Sequence, residues 1–197
     1  MTMKIVFVTS NKHKVLEVKE ILKPHGIDVL GLFDLDIAPL EVEENGTTFK
    51  ENALIKARSI SKLTTLPIIA DDSGLEVDFL NKEPGIRTAR FAAQKGGHIL
   101  AMKDIMQRIE GHNRSARFVC DIALIYQNTE QVFEGVCEGH IASRISGLNG
   151  FGYDPFFVPD GYSKTFSELG EDTKNKISHR SKAIKKLAEY LKDQMAT

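Results

Sequence analysis

The sequence predicts an α/β fold in which helices flank a mixed β-sheet, and three features carry that prediction. The stretch Ile68–Val77, IIADDSGLEV, opens as a short apolar run of β-branched residues, the pattern of a buried strand. In residues 116–126, ARFVCDIALIY, the side chains of Ala116, Phe118, Cys120, Ile122, Leu124 and Tyr126 form one unbroken apolar face, which marks a central strand. A polar turn over residues 127–130 leads into a partner strand from Val132 to about residue 142, so an antiparallel hairpin joins the sheet and the sheet is not purely parallel. At 197 residues, 42% hydrophobic and 27% charged, the chain suits one soluble globular domain with a sizeable core.

In chain order, residues 4–14 give an apolar strand, a polar loop and a helix that takes over near Lys12. Val15, Val18 and Leu22 share one helical face, Pro24 and Gly26 end the helix, and Asn11 suits its N-cap. A strand feeding a helix N-terminus through a short loop presents backbone N–H groups and the positive dipole end, a setting for phosphate. Thr9, Asn11 and Lys14 would add a hydroxyl, an amide and a cation to that cradle, with an ordinary capped helix as the competing reading. The GxxxxGK[ST] pattern is absent, which disfavours P-loop chemistry. Residues 27–38 read as a second strand and its exit. Glu41, Glu43 and Glu44 follow, closed by Asn45 and Gly46, and Thr48 with Glu51 makes a capping-box pattern that opens a helix running to about Leu63. Phe49, Ala53, Ala57 and Ile60 supply its buried stripe, and Lys56 falls near that stripe. A βαβ-like return could then bring the glutamates beside Asp71 and Asp72. Oxygen ligands from separate segments, with room for waters, suit a Mg²⁺ ion shared with a phosphate.

Asp71 and Asp72 stand at the exit of the apolar run, a common place for ligands in α/β sheets. Neighbours on an extended chain face opposite ways, so one acid faces a given site and the other supports it; a plain Asp-Asp-Ser-Gly turn is the alternative. Residues 74–80 continue as a strand or extended arm, and residues 84–91, PGIRTARF, read as a loop with Arg87 and Arg90 on the surface. Gly96 and Gly97 precede an amphipathic helix with Ile99, Met102, Met106 and Ile109 on one face. Residues 146–162 combine glycines, aromatics, Asp154 and two prolines, which predicts a long loop without a regular element, its Phe151 ring able to stack on a base. Residues 174–191 predict a helix with Ile184, Leu187 and Leu191 inward and Lys182, Lys185, Lys186 and Lys192 on its solvated face. Lys174, His179 and Arg180 gather before or in its first turn, the wrong end of the dipole for cations, and that misfit calls for an anion or acceptor nearby.

Charge and composition exclude several classes. Lys+Arg 26 against Asp+Glu 27 leaves a net charge of -1, which argues against a general nucleic-acid binder. No apolar run approaches the roughly 18 residues of a membrane span, and Ile5 to Val8 is too short for a signal-peptide core. Cys120 and Cys137 lack metal or redox spacing, so buried free thiols in a reducing cytoplasm are expected.

Five segments at compatible spacings resemble one family: residues 9–14 (TSNKHK), 43–57 (EENGTTFKENALIKA), 70–75 (ADDSGL), 150–157 (GFGYDPFF) and 178–180 (SHR). Together they resemble the inosine triphosphate pyrophosphatases, which act on nonstandard purine nucleoside triphosphates. The resemblance implies a Mg²⁺-dependent hydrolase that cuts between the α and β phosphates, giving monophosphate and pyrophosphate and cleansing the nucleotide pool. It also implies a homodimer whose elongated mixed sheet has two lobes around a central substrate cleft, with residues 1–197 as one pyrophosphatase domain. Carried onto this chain, Thr9, Ser10, Asn11, Lys12, His13, Lys14 and Lys56 would hold the triphosphate. Glu44 and Asp72 would bind Mg²⁺, Asp72 would be the proton acceptor, and Ser73 would touch substrate. Phe151, Gly152, Tyr153, Asp154, Lys174, His179 and Arg180 would hold the nucleoside.

A carboxylate close to Mg²⁺ is a feeble base, so Asp72 is expected mainly to position a water, with Asp71 or Glu41 as other proton acceptors. Donors from Lys174, His179 or Arg180, or backbone N–H groups, would donate to the C6 oxygen of hypoxanthine or xanthine and clash with the amino donor of adenine. Guanine must be refused at C2. Two alternatives remain at this point: a Maf-like pyrophosphatase acting on pyrimidine or modified nucleotides, and a nucleotide-binding regulator without turnover.

Overall fold

The structure is a computed structural model that describes residues 2–38, 41–147 and 151–196. Its elements are β1 (Met3–Phe7), α1 (Lys12–Leu22), β2 (Ile27–Leu30), α2 (Phe49–Arg58), β3 (Ile68–Val77), β4 (Glu83–Pro84), α3 (Thr88–Lys95) and α4 (His98–Arg108). They continue with β5 (Ser115–Tyr126), β6 (Thr129–Ile141), β7 (Phe157–Pro159), α5 (Phe166–Leu169), α6 (Glu171–Ile177) and α7 (His179–Met195). The strands form one sheet in the order β2-β1-β3-β5-β6-β7, with β4 paired to β3. β1 runs parallel to β2 and β3, while β4 on β3 and β7 on β6 are antiparallel, so the sheet is mixed as expected. Among the described residues no helix is long and apolar enough to cross a membrane.

The described residues fall into two compact units, one within Met1–Asp72, Cys120–Gly135 and Arg180–Thr197, the other within Ser73–Val119 and Val136–His179. Strands β3, β5 and β6 contribute residues to both. In the first unit, Val15, Val18 and Leu22 of α1 pack with Ile184, Leu187 and Leu191 of α7 around Ile5, Phe7 and Cys120. A second cluster there sets Ala53 and Ala57 of α2 and Ile60 against Val6, Ile68 and Ala70. In the second unit, Met102 and Ile105 of α4 pack with Leu75, Phe118, Phe156 and Phe157. Cys120 and Cys137 are free and buried, in keeping with the expectation from their spacing.

Several element boundaries differ from the pattern-based expectation. β2 stops at Leu30, and the exit expected after it holds a 3₁₀ turn over residues 32–35, whose Asp34 carboxylate accepts the Gly31 N–H at 2.8 Å. β3 does not end at its two acids: it runs through Asp71 and Asp72 to Val77, because its later residues still have β4 to pair with. PGIRTARF is not a loop throughout, since α3 opens at Thr88, whose hydroxyl accepts the Leu75 N–H at 2.9 Å. On α4 the buried face is Ala101, Met102 and Ile105, continued by Ile109, while Ile99 is 50% exposed and Met106 only partly buried. Ile99 sits in the first turn, ahead of that stripe. α2 ends at Arg58 rather than near Leu63. The segment 146–162 does contain regular structure: β7 pairs with β6 over Gly139, where a Cβ would collide with the Val158 carbonyl and the Phe157 ring. The single helix expected over 174–191 is two, parted at Ser178, whose extended backbone (ψ 158°) ends α6 before α7 begins.

Candidate active site

In the first unit the site starts at the end of β1. Asn11 caps α1, its Oδ1 accepting the N–H groups of His13 (3.0 Å) and Lys14 (3.4 Å), and Thr9 Oγ1 accepts the Asn11 N–H at 3.1 Å. Capping thus uses the oxygens of Thr9 and Asn11, and each side chain keeps donor hydrogens. Ser10, Lys12 and His13 are exposed around this helix start. Lys14, one turn into α1, reaches the Asp71 carboxylate at 3.1 and 3.2 Å.

β3 turns its two acids to different partners, as the alternation of an extended chain requires. Asp71 is 1% exposed and takes Lys14 together with Arg180 Nε at 3.4 Å, while Arg180 Nη1 donates to Glu17 Oε2 at 2.7 Å. Burial alone would raise the Asp71 pKa, but Lys14, Arg180 and Lys56 outweigh it and hold the carboxyl well below the usual range. The anion that Arg180 needs at the start of α7 is therefore a pair of protein carboxylates. Asp72 faces Lys56 instead, at 3.9 Å, and the same ammonium lies 2.9 Å from Glu44 Oε1. Burial pushes Asp72 up to about 6, Lys56 pulls against it, and the Glu44 and Asp71 charges push with it. Burial would also lower the Lys56 pKa, but Asp71, Glu44 and Asp72 carry it upward.

Could these residues hold a divalent cation? Lys14 and Arg180 meet at Asp71, with Arg180 also on Glu17, while Lys56 lies between Glu44 and Asp72, so three cations meet four carboxylates in two neighbouring ion-paired groups. Asp72 Oδ2 is buried and accepts no hydrogen bond, an oxygen that burial makes costly to leave unpaired. Glu44 and Asp72 meet at one ammonium, as the expected return of the acidic segment requires, whereas Glu41 is exposed. Among the described residues there is no group of three or more His, Cys, Asp or Glu that forms a ready-made metal cage. Mg²⁺ does not ask for one: it takes one or two carboxylates and fills the remaining positions with waters and substrate phosphate. The donor set fits.

The second unit holds the other expected residues. Phe151 is 42% exposed, and its N–H donates to Asp154 Oδ2 at 2.8 Å; Gly150 lies outside the described residues. Gly152 bends the chain with φ 62°, in the left-handed region that favours glycine. Lys174 Nζ donates to the same Asp154 oxygen at 2.7 Å, and both side chains are buried. The Tyr153 hydroxyl donates to the Thr88 carbonyl at 2.9 Å, and burial pushes its pKa up to about 12. His98 packs edge-on against Tyr153 and tilted against Phe151, with centroids 5.1 and 6.2 Å apart. His179 stacks on Phe118 at 4.9 Å, and Ser73 is half-buried on β3.

The expected site residues thus divide between the two units. Thr9 to Lys14, Glu44, Lys56, Asp72 and Arg180 belong to the first, and Ser73, Phe151 to Asp154, Lys174 and His179 to the second. Arg180, expected with the nucleoside set, is engaged with Asp71 and Glu17. Two acids, Glu17 half-buried and Asp121 buried, escaped the sequence reading. Glu17 lies one turn beyond Lys14 on α1, a spacing that could have flagged it. Asp121 interrupts the inner run of β5; it is 6% exposed, and burial, followed by the neighbouring Glu134, pushes it up to about 7.

The chain is 44% identical over 191 residues to a dITP/XTP pyrophosphatase of Bacillus licheniformis, covering 95% of this chain and 97% of that one. The solved Ham1 protein of Staphylococcus aureus superposes with a TM-score of 0.85 at 37% identity, covering 97% of this chain and 99% of the other. A HAM1 protein from Coxiella burnetii gives 0.87 at 36% identity, over 98% and 100% of the two chains. The Ham1 family model matches residues 5–190, and the chain belongs to the Ham1 family.

Proposed function

We propose that this chain hydrolyses nonstandard purine nucleoside triphosphates, ITP, dITP and XTP, to the monophosphate and pyrophosphate with Mg²⁺. The observation that carries the reading is the Lys56 ammonium shared by Glu44 and Asp72, with a buried Asp72 oxygen left for a further cation. The similarity to chains named dITP/XTP pyrophosphatase supports the substrate class. The Ham1 match sets aside the Maf-like alternative.

A triphosphate is strongly anionic, and its charge must be met before water can approach phosphorus. Lys14 and Lys56 would exchange their carboxylate partners for phosphate oxygens, beside the donors of Thr9, Ser10, Asn11, Lys12 and His13 at the start of α1. Mg²⁺ bound by Glu44 and Asp72 would supply charge neutralisation and polarise a water. Asp72 has a pKa of about 6 in the ion-free protein, but beside a bound Mg²⁺ its carboxylate would be a feeble base and would chiefly position the water. Asp71 keeps its charge and positions Lys14 and Arg180. For the nucleoside, Phe151 would stack on the purine, and donors from Lys174, His179 or the Phe151–Asp154 backbone would meet the C6 oxygen. Adenine, carrying an amino donor there, would be refused by a factor of about 10⁴ or more. Residues 1–197 would work as one pyrophosphatase domain, as a homodimer in the cytoplasm.

The test is a panel of ITP, dITP, XTP, ATP, GTP and CTP with and without Mg²⁺. Turnover confined to the oxo-purines other than GTP and dependent on Mg²⁺ is expected. Binding of ITP without turnover would favour the regulator instead, and comparable turnover of ATP would refute the base assignment.

A further inference from the structure

Asn52 is a buried polar residue that the chemistry above leaves without a task. It is 2% exposed on α2, in the company of Phe49 and Ala53. A buried amide costs free energy unless both of its ends find partners. Its Oδ1 accepts the Gly46 N–H at 2.8 Å, and because Gly46 presents a donor, the oxygen must point there and the NH₂ elsewhere. One side chain thus connects the backbone two residues beyond Glu44 with α2, the helix that carries Lys56.

The loop is built for that contact. A Cβ on Gly46 would lie 2.7 Å from Asn52 Oδ1 and 2.7 Å from Glu51 Cβ, so only glycine lets this backbone rest on α2. Glu51 adds a second clasp, its Oε2 accepting the Thr47 N–H at 2.6 Å and the Thr47 hydroxyl at 3.1 Å. Asn52 and Lys56 stand four residues apart on one helix face. Lys56 joins Glu44 and Asp72 by charge, a link that is given up when the ammonium turns to phosphate. The Asn52 link is neutral and survives that exchange.

We propose that Asn52 is a positioning residue: it ties the Glu44 loop to α2 and so holds Glu44 beside Lys56 and Asp72, where the two carboxylates are presented together to a divalent ion. The proposal rests on the reading that Glu44 and Asp72 hold that ion. The test measures Mn²⁺ binding to the full chain by electron paramagnetic resonance, alongside the Mg²⁺ half-saturation and the nucleotide KM of ITP hydrolysis. Asn52→Leu, close in size but without polar atoms, should weaken Mn²⁺ binding and raise the Mg²⁺ half-saturation about tenfold or more. The KM for ITP at saturating Mg²⁺ should stay within about threefold, a split that general loss of structure would not produce. Gly46→Ala, which leaves Asn52 in place and lifts the loop from it, should act in the same direction if Asn52→Leu folds poorly. Glu44→Gln and Asp72→Asn serve as controls. If they leave Mn²⁺ binding intact, the ion-holding reading fails and this proposal with it. If they abolish binding while Asn52→Leu and Gly46→Ala match the wild type, only the positioning role is overturned.

Discussion

Asp71 and Asp72 are identical side chains one peptide apart, and their surroundings make them different acids. Asp71 is neutralised by Lys14 and Arg180, so it remains a carboxylate, and its contribution to stability is present above the ordinary carboxylate range and lost only in strong acid. Asp71→Asn leaves half-buried Lys14 without its carboxylate and buried Arg180 with Glu17 alone, and should cost about 3–5 kcal/mol in urea unfolding at pH 7. Asp72 behaves oppositely. Its folded pKa of about 6 lies above the ordinary 3.8, so the native state binds the extra proton and stability falls as pH rises between those values. Asp72→Asn should therefore raise the metal-free melting temperature at pH 7.5, by about 1–3 kcal/mol of added stability, with no gain at pH 3.5. The same variant should cut turnover by about 10³ or more while ITP binding persists; near-normal turnover would remove Asp72 from the chemistry. Sequence alone exposed the pair and its opposite faces. It did not expose which acid was which, because Lys14 lies 57 residues from Asp71 and Arg180 lies 109 away.

At the level of elements, periodicity found what packing on one face produces. Val15, Val18 and Leu22 of α1, the inner face of β5 and Ile184, Leu187 and Leu191 of α7 are buried as their spacing requires. Pattern failed where a partner from elsewhere decided the outcome. β3 passes through its acids because β4 continues the ladder, and β7 forms because Gly139 leaves room at the edge. The capping box was half right: Thr48 Oγ1 accepts the Glu51 N–H at 3.1 Å, but the Glu51 carboxylate reaches back to Thr47. Thr48→Ala should cost about 1 kcal/mol, read as a lowered melting temperature, and should loosen the loop that carries Glu44. The segment around Phe151 is held by the buried Lys174–Asp154 pair at 2.7 Å. Lys174→Met should destabilise by about 3–5 kcal/mol, and adding Asp154→Leu should recover part of that loss, because the second change removes an unpaired buried carboxylate.

For the molecule as a whole, the net charge of -1 hides a strongly local arrangement, with cations and carboxylates concentrated around β3. That concentration is what a small polyanion with its own cation needs, and averaging over the chain conceals it. The α/β class and the mixed sheet were legible from strand patterns and the family from five short segments, and the family model spans residues 5–190. The charge network was legible only in part, since Glu17, Asn52 and Asp121 look like ordinary surface or core substitutions until the strands and helices are assembled. The central claim is that one particular bond of one class of nucleotide is broken. Phosphorus NMR of ITP with the wild-type chain and Mg²⁺ tests it most directly: inosine monophosphate and pyrophosphate should appear together from the first turnovers. Accumulation of inosine diphosphate with inorganic phosphate would contradict the account.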